Sequence, residues 1–293
     1  MKSFKEYIAE AKDKKIAIGH FNISTIDGIY AVVDAAKELA VPVIVGVSEG
    51  ERDFIGVKQV SVIIKTLREE RNQPIFLNAD HTYSFEKVKE AILAGFDSVI
   101  FDGAGLSYEE NLETTKKCVE FAKQHKSSCG GDIIIEGELG FIGKSSKILD
   151  EIPEGAIINA DQMTKPEDAK RFVDETGIGL LAPAIGNIHG VVRGGDPALN
   201  TERAKEICDA IGIPIVLHGA SGNTASDIQK TILAGSAIVH VNTELRIAYR
   251  AGLLKALSVD QDELSPYKYL KSAKQAMQRV VEEKIKIFNF LNI

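Results

Sequence analysis

Cysteine is scarce in this chain. Cys118, Cys129 and Cys208 are the three in 293 residues, far apart and odd in number. No CxxC pair occurs, so a disulfide framework is excluded, and the pattern fits a reducing compartment; the expected location is cytoplasmic. A basic excess is also lacking. Thirty-five basic residues face 42 acidic ones, for a net charge of −7, with no long Lys/Arg block. That excludes the electrostatic footprint of a nucleic-acid binder. No apolar run approaches the roughly 18 residues of a membrane helix. The opening segment MKSFKEYIAEAKDKK mixes acids and bases without an apolar stretch, so no signal peptide is expected. There is no linker, no low-complexity tract and no GxGxxG after the first apolar run, which argues against a dinucleotide fold. Forty-four per cent hydrophobic and 26% charged residues describe an ordinary globular chain.

What is present is a repeating alternation. Short runs rich in Val and Ile begin near Lys15, Pro42, Pro74, Asp97, Asp132, Gly179, Pro214 and Ala237. Each is bounded by Gly, Pro or polar residues, the mark of a buried strand. Helix-period stretches lie between them, at 26–40, 84–95, 109–126, 166–176, 201–211 and 225–234. Ser84 and Thr201 stand where helix caps are expected. Parallel neighbours need a crossover, so alternating units imply a parallel sheet. Eight units predict one closed (β/α)8 TIM barrel over residues 1–293. Two additional C-terminal helices, about 244–257 and 267–288, are expected to cover a barrel end or meet another subunit. The interval from Asp132 to Gly179 is the longest, and its glycine-bearing middle, 140–165, is either a lid or a solvated insertion.

The polar residues gather at the carboxyl ends of the predicted strands, where barrels build their sites. Asp80 and His81 close the third, Asp102 the fourth, and Glu136 and Glu138 the fifth. His189 follows the sixth, His218 ends the seventh, and Asn242 and Thr243 end the eighth. Three imidazoles around an open fourth position are the ligand set of a catalytic zinc, so His81, His189 and His218 are the expected metal ligands. His20 reads as packing and His125 as surface. Asp80 is either an acid/base group beside the metal or a helix cap. Asp102 and Glu138 are either metal partners, in an outer shell or at a second position, or buried carboxylates paired with lysine.

Glycines flank these histidines: His189-Gly190, Gly194-Gly195 and His218-Gly219-Ala220-Ser221-Gly222. Glycine lets backbone amides approach an anion, and a helix N-terminus adds a favourable dipole. With Arg193, Ser221 and Thr243 this predicts a phosphate cradle. The residues thus point to a zinc enzyme acting on a phosphorylated small molecule, with chemistry at a carbon next to a carbonyl.

The segment Asp80-His-Thr-Tyr-Ser-Phe-Glu, with Ala91-Ile-Leu-Ala-Gly-Phe-Asp-Ser-Val-Ile-Phe-Asp-Gly and Glu110-Asn111, resembles the class II (zinc-dependent) fructose-bisphosphate and tagatose-bisphosphate aldolases. So do GHFNI (19–23), EGELG (136–140), APAIGNIHG (182–190), VLHGASG (216–222) and VNTELRIAY (241–249). The resemblance covers nearly the whole chain. It implies a (β/α)8 lyase that splits a ketose bisphosphate into dihydroxyacetone phosphate and an aldehyde. Asp80 matches the family's catalytic aspartate, which carries the C4 hydroxyl proton, and His81, His189 and His218 match its zinc ligands. Asp102 and Glu138 match residues near an alternative, more buried metal position. Gly190, Arg193, Gly219, Ser221, Asn242 and Thr243 match positions around the ketone's phosphate and a monovalent cation. Asn22 and Ser48 match polar contacts near the substrate, and Arg246 a contact to the far phosphate, often across a dimer interface. The family also suggests a homodimer or homotetramer.

Two positions depart from the family pattern. After Glu138-Leu-Gly the chain runs Phe-Ile-Gly143-Lys144-Ser145-Ser146, without the loop acid that takes the C3 proton in relatives; Asp150 or Glu151 would have to serve. His240 replaces an asparagine that contacts the bound ketone. The expected substrate is fructose 1,6-bisphosphate. Tagatose 1,6-bisphosphate or another phosphorylated ketose is the alternative, followed by a zinc hydrolase or a metal-binding protein without turnover.

Overall fold

A computed structural model describes residues 2–143 and 146–292. Its barrel strands are β1 (Ile18–Asn22), β2 (Val43–Val47), β3 (Ile75–Thr82), β4 (Ser98–Phe101), β5 (Ile134–Leu139), β7 (Leu180–Pro183), β9 (Ile215–Leu217) and β10 (Ser236–Val241). They close in the order β1-β10-β9-β7-β5-β4-β3-β2, and every pairing is parallel. All eight coincide with the eight apolar runs, and the (β/α)8 barrel is as expected. A separate parallel pair joins β6 (Ile148–Leu149) to β8 (Val191–Val192).

The helices are α1 (Phe4–Lys14), α2 (Ile26–Glu38), α3 (Glu49–Ile55), α4 (Val57–Arg71), α5 (Phe85–Leu93), α6 (Tyr108–Ala122), α7 (Pro166–Thr176), α8 (Thr201–Ile211), α9 (Ala225–Ala234), α10 (Thr243–Val259) and α11 (Pro266–Phe288). Ser84 caps α5 as expected, accepting from the Lys87 amide. Thr201 does not cap α8: Asn200 does, accepting from the Arg203 amide at 2.9 Å, and Thr201 is the first helical residue. The three helices not anticipated are α1, α3 and α4. The first starts at a Ser3/Glu6 capping box. Both C-terminal helices form; α11 packs on α2 and α10.

Side chains alternate across each strand, and the barrel interior fills in layers. Ile18, Ile44, Phe76, Ile134, Leu180, Val216 and Ile238 form an apolar layer near the amino ends of the strands. Phe4, Ile8 and Ala11 of α1 pack onto this layer and close that end, with Phe4 stacked on Phe76 at 4.4 Å. Two residues further along the same strands stand His20, Gly46, Asn78, Glu136, Ala182, His218 and His240. One more step brings Asn22, Ser48, Asp80 and Glu138. The interior therefore turns from apolar to polar within one period of the pleat.

Candidate active site

The polar end opens into a cavity of about 640 Å³. Of the residues singled out from sequence, Asn22, Ser48, Asp80, His81, His189, Gly190, Gly219, Ser221, His240, Asn242, Thr243 and Arg246 line it. His218, Asp102 and Glu138 lie buried behind that lining. Arg193 is not among the lining residues; it is exposed, and its Nε donates to Asp150 Oδ1 at 2.9 Å. Asp150 is thereby occupied outside the cavity. Ser146 lines the cavity, 3.4 Å from the amide nitrogen of Asn242. Lys144 and Ser145 lie outside the described residues.

Adjacent residues on a strand point to opposite faces, yet Asp80 and His81 both reach the cavity. His81 has φ 37°, a left-handed backbone rare for a side-chain-bearing residue, and the β3–β4 register slips between Ala79 and Thr82. This kink delivers both side chains to one place. Arg52 braces it from behind, donating to the Val47 and Asp80 carbonyls and to Thr82 Oγ1.

The nitrogens of His81, His189 and His218 come within 4.8 Å of one another. Their rings meet edge to face: His81 lies at 75° to His189 and 86° to His218, with centroids 4.6 and 5.1 Å apart. Carboxylates fix two tautomers. His81 Nδ1 donates to Asp102 Oδ2 at 2.9 Å, and His218 Nε2 donates to Glu136 Oε1 at 2.8 Å. Each bond leaves the other ring nitrogen with its lone pair free for a ligand role. His189 Nε2 and His218 Nδ1 are buried without a hydrogen-bond partner among the described residues. Two such orphaned atoms beside a third histidine fit a divalent metal of borderline softness. Asp102 and Glu138 are partners of His81 rather than of a lysine; Glu138 Oε2 is 3.8 Å from His81 Nδ1.

The electrostatics favour a cation here. Burial opposes charge on His81, but Asp80, the bond to Asp102 and the charge of Glu138 outweigh it and raise the imidazole to about 10. The field that would hold a proton there would equally hold a metal ion. Burial and the neighbouring His81 and His218 keep His189 well below its ordinary value, in the neutral form that binds metal. Burial, then Asp102, pushes Glu138 well above the usual carboxylate range. Asp80 resists burial because His81, His240 and His20 surround it, and it is held well below the usual range. Its Oδ2 accepts from Asn22 at 2.9 Å; its Oδ1 lies 3.4 Å from His240 Nδ1.

Sequence reasoning missed Glu51. Its carboxylate accepts from Asn22 Nδ2, from the Ser48 amide and hydroxyl, and from Arg246 Nη2 at 2.6 Å. It thus orients three expected substrate contacts at once. The Ser48–Glu51 spacing of a capping box was its available signal. The anion-binding features lie on the loop after β9 and at the start of α10. Gly219 has φ 63°, and a Cβ there would lie 2.1 Å from the Ile188 carbonyl oxygen, so the loop closes this tightly only with glycine. Ser221 Oγ lies 3.4 Å from the amides of Asn242 and Glu244 at the N-terminus of α10.

A barrel whose carboxyl rim holds convergent histidines, an ionised aspartate and a glycine loop at a helix N-terminus is that of a metal-dependent enzyme for phosphorylated substrates. The family model "Fructose-bisphosphate aldolase class-II" matches residues 2–292, and the chain belongs to that family of lyases. It is 38% identical over 293 residues to a fructose-bisphosphate aldolase of Staphylococcus aureus (strain Mu50), covering 99% of this chain and 98% of the relative. A probable fructose-bisphosphate aldolase of Bacillus subtilis (strain 168) is 39% identical with the same coverage. Among solved structures, the YdjI aldolase of Escherichia coli K12 superposes with TM-score 0.79 at 30% identity, over 98% of this chain and 97% of that one. A fructose-bisphosphate aldolase of Campylobacter jejuni, 22% identical, shares the fold with TM-score 0.81 over 99% and 96%.

Proposed function

We propose that the chain catalyses zinc-dependent retro-aldol cleavage of fructose 1,6-bisphosphate to dihydroxyacetone phosphate and glyceraldehyde 3-phosphate. The observation that carries this reading is the convergence of His81, His189 and His218 beside an ionised, partly unpartnered Asp80. His81, His189 and His218 would hold the zinc, which when bound supplies Lewis-acid polarisation of the substrate carbonyl. Asp80 takes the proton of the C4 hydroxyl as the C3–C4 bond breaks and C4 becomes an aldehyde. The electron pair left on C3 delocalises into the neighbouring carbonyl as an enediolate, and C3 then takes up a proton from solvent, in place of the family's loop acid, to give dihydroxyacetone phosphate. Asn22 keeps Asp80 aimed by holding its second oxygen. The Gly219–Gly222 loop, Ser221 and the N-terminus of α10, with Thr243, take the C1 phosphate, and a monovalent cation fits beside them. Gly190 closes the same side of the cavity. Arg246 takes the far phosphate, and Glu51 sets its reach.

A second reading has its own support. Ser146 stands where relatives carry the loop acid, and His240 lines the cavity 3.4 Å from Asp80. These features favour tagatose 1,6-bisphosphate or another phosphorylated ketose. The chain acts as one barrel unit in the cytoplasm, as a homodimer or homotetramer. Leu254, Leu257, Val259, Leu264 and Tyr267 are exposed on α10, α11 and their connection and suit such an interface. No helix among the described residues is long and apolar enough to cross a membrane.

The test is a coupled retro-aldol assay on both bisphosphates, with EDTA added and zinc then restored. Cleavage lost to EDTA and recovered with zinc supports the reading, and the faster substrate decides between the two sugars. Failure of a zinc-loaded protein to cleave either would overturn both.

A further inference from the structure

Behind the proposed metal ligand His218 stands a column of two further histidines, His20 and His240, to which the cleavage step assigns no role. His20 of β1 and His240 of β10 are register partners, and their rings lie face to face, with centroids 3.4 Å apart and planes 1° from parallel. His240 in turn stacks on His218, at 3.9 Å and 27°. Three adjacent strands each contribute one ring. The outer ring is held by its surroundings. A Cβ on Gly46 would lie 2.0 Å from His20 Cε1, so the ring occupies space that only glycine leaves. His20 Nε2 donates to Asn78 Oδ1 at 3.1 Å, and Asn78 Nδ2 donates to Ser98 Oγ at 2.8 Å, which fixes the amide and hence the imidazole tautomer.

The column is unsuited to a metal of its own, although ring nitrogens of His20 and His240 lie within 4.8 Å of an Asp80 oxygen. Imidazole lone pairs lie in the ring plane. Parallel rings stacked this closely send them along parallel lines, which do not converge on one ion. The column instead immobilises His218. Glu136 holds one edge of that ring, His240 covers a face, and His20 backs His240 against Gly46. His218 Nδ1 is what remains.

We infer that His20 is a positioning residue: through His240 it sets the ring plane of His218, and so the direction in which the Nδ1 lone pair points. This rests on the reading of His81, His189 and His218 as metal ligands. A flat ring at position 20 is the requirement, with the hydrogen bond to Asn78 adding orientation.

The test uses metal-free protein titrated with Co²⁺, whose visible absorption reports ligand geometry. His20→Ala is expected to weaken Co²⁺ binding about 10–100-fold and to alter the band, the range seen when groups supporting metal ligands are removed. The melting temperature of the metal-free protein, read alongside, separates loss of positioning from loss of fold. His20→Phe keeps a flat ring and is expected to recover affinity to within about threefold. Asn78→Leu, which leaves the stack in place, should shift affinity in the same direction by less. Unchanged affinity and spectrum in His20→Ala would overturn the inference. So would weakened binding in His20→Ala that His20→Phe fails to recover, because a flat ring at position 20 would then not be what positions His218. Wild-type protein that takes up no Co²⁺ would overturn the metal reading itself, and the inference with it.

Discussion

The two ends of the barrel are built on opposite rules. At the amino end, Phe4, Ile8 and Phe76 seal an apolar layer, and a buried charged pair, Arg68 with Asp97, has most of its polar atoms engaged. Arg68 also donates to the Ile75 carbonyl and Ser128, and Asp97 accepts from the Leu77 amide. At the carboxyl end, Asp80 Oδ1, Glu138 Oε2, His189 Nε2, His218 Nδ1 and Asn242 Oδ1 are buried without a hydrogen-bond partner among the described residues, although His240 and His81 lie close to the two carboxylates. A buried polar atom left unpaired costs about 1–3 kcal/mol. One end therefore stabilises the fold, while the other holds groups in readiness for a ligand.

Substitutions at the two ends should separate activity from stability. Asp80→Ala should lower kcat by about 10³-fold or more, with zinc content by atomic absorption near one per chain; cleavage near the wild-type rate would remove Asp80 from the mechanism. Arg68→Ala strands Asp97 in the interior and should cost about 3–5 kcal/mol in denaturant unfolding. Its kcat in the surviving folded fraction should stay near wild type, and an equal loss of kcat would mean that the two ends are coupled. Glu136→Gln leaves the His218 tautomer unfixed and should weaken zinc binding about tenfold in chelator competition, with little change in melting temperature.

The smallest effect concerns Asp34, which joins α2 to Arg71 of α4 and Lys274 of α11. Burial would raise this carboxyl, but Lys274 and Arg71 outweigh it and hold it below its ordinary 3.8. A depressed carboxyl stabilises the fold above its unfolded value and ceases to do so as pH falls through its folded value. Asp34→Asn should therefore cost about 1 kcal/mol near neutral pH. The gap to wild type should close below about pH 4. A gap that persists in acid would assign the loss to packing.

Every barrel strand was legible because buried parallel strands read as continuous Val/Ile runs. The helices α1 and α4 carried a weaker signal, Phe4-Ile8-Ala11 and Val60-Ile64-Leu67 at helical spacing, submerged among charged residues. The triad histidines were legible because they end or follow strands at the rim. His20 was read as packing near the end of the first strand; it sits at the middle of β1, and nothing near it in sequence shows that Gly46 leaves room for its ring. Glu136 was noted at the fifth strand, but its bond to His218 joins residues 82 positions apart.

The long segment after β5 was expected as a lid or a solvated insertion, yet part of it is stitched to the chain that carries His189. Ile142 accepts from the His189 amide, Lys147 from Val191, and Leu149 from Arg193. Anyone grafting this loop from a relative to alter the proposed sugar specificity would also be exchanging part of the mounting of His189, a proposed metal ligand. Ile142 and residues 147–149 form a single cassette with residues 189–193, to be transplanted together.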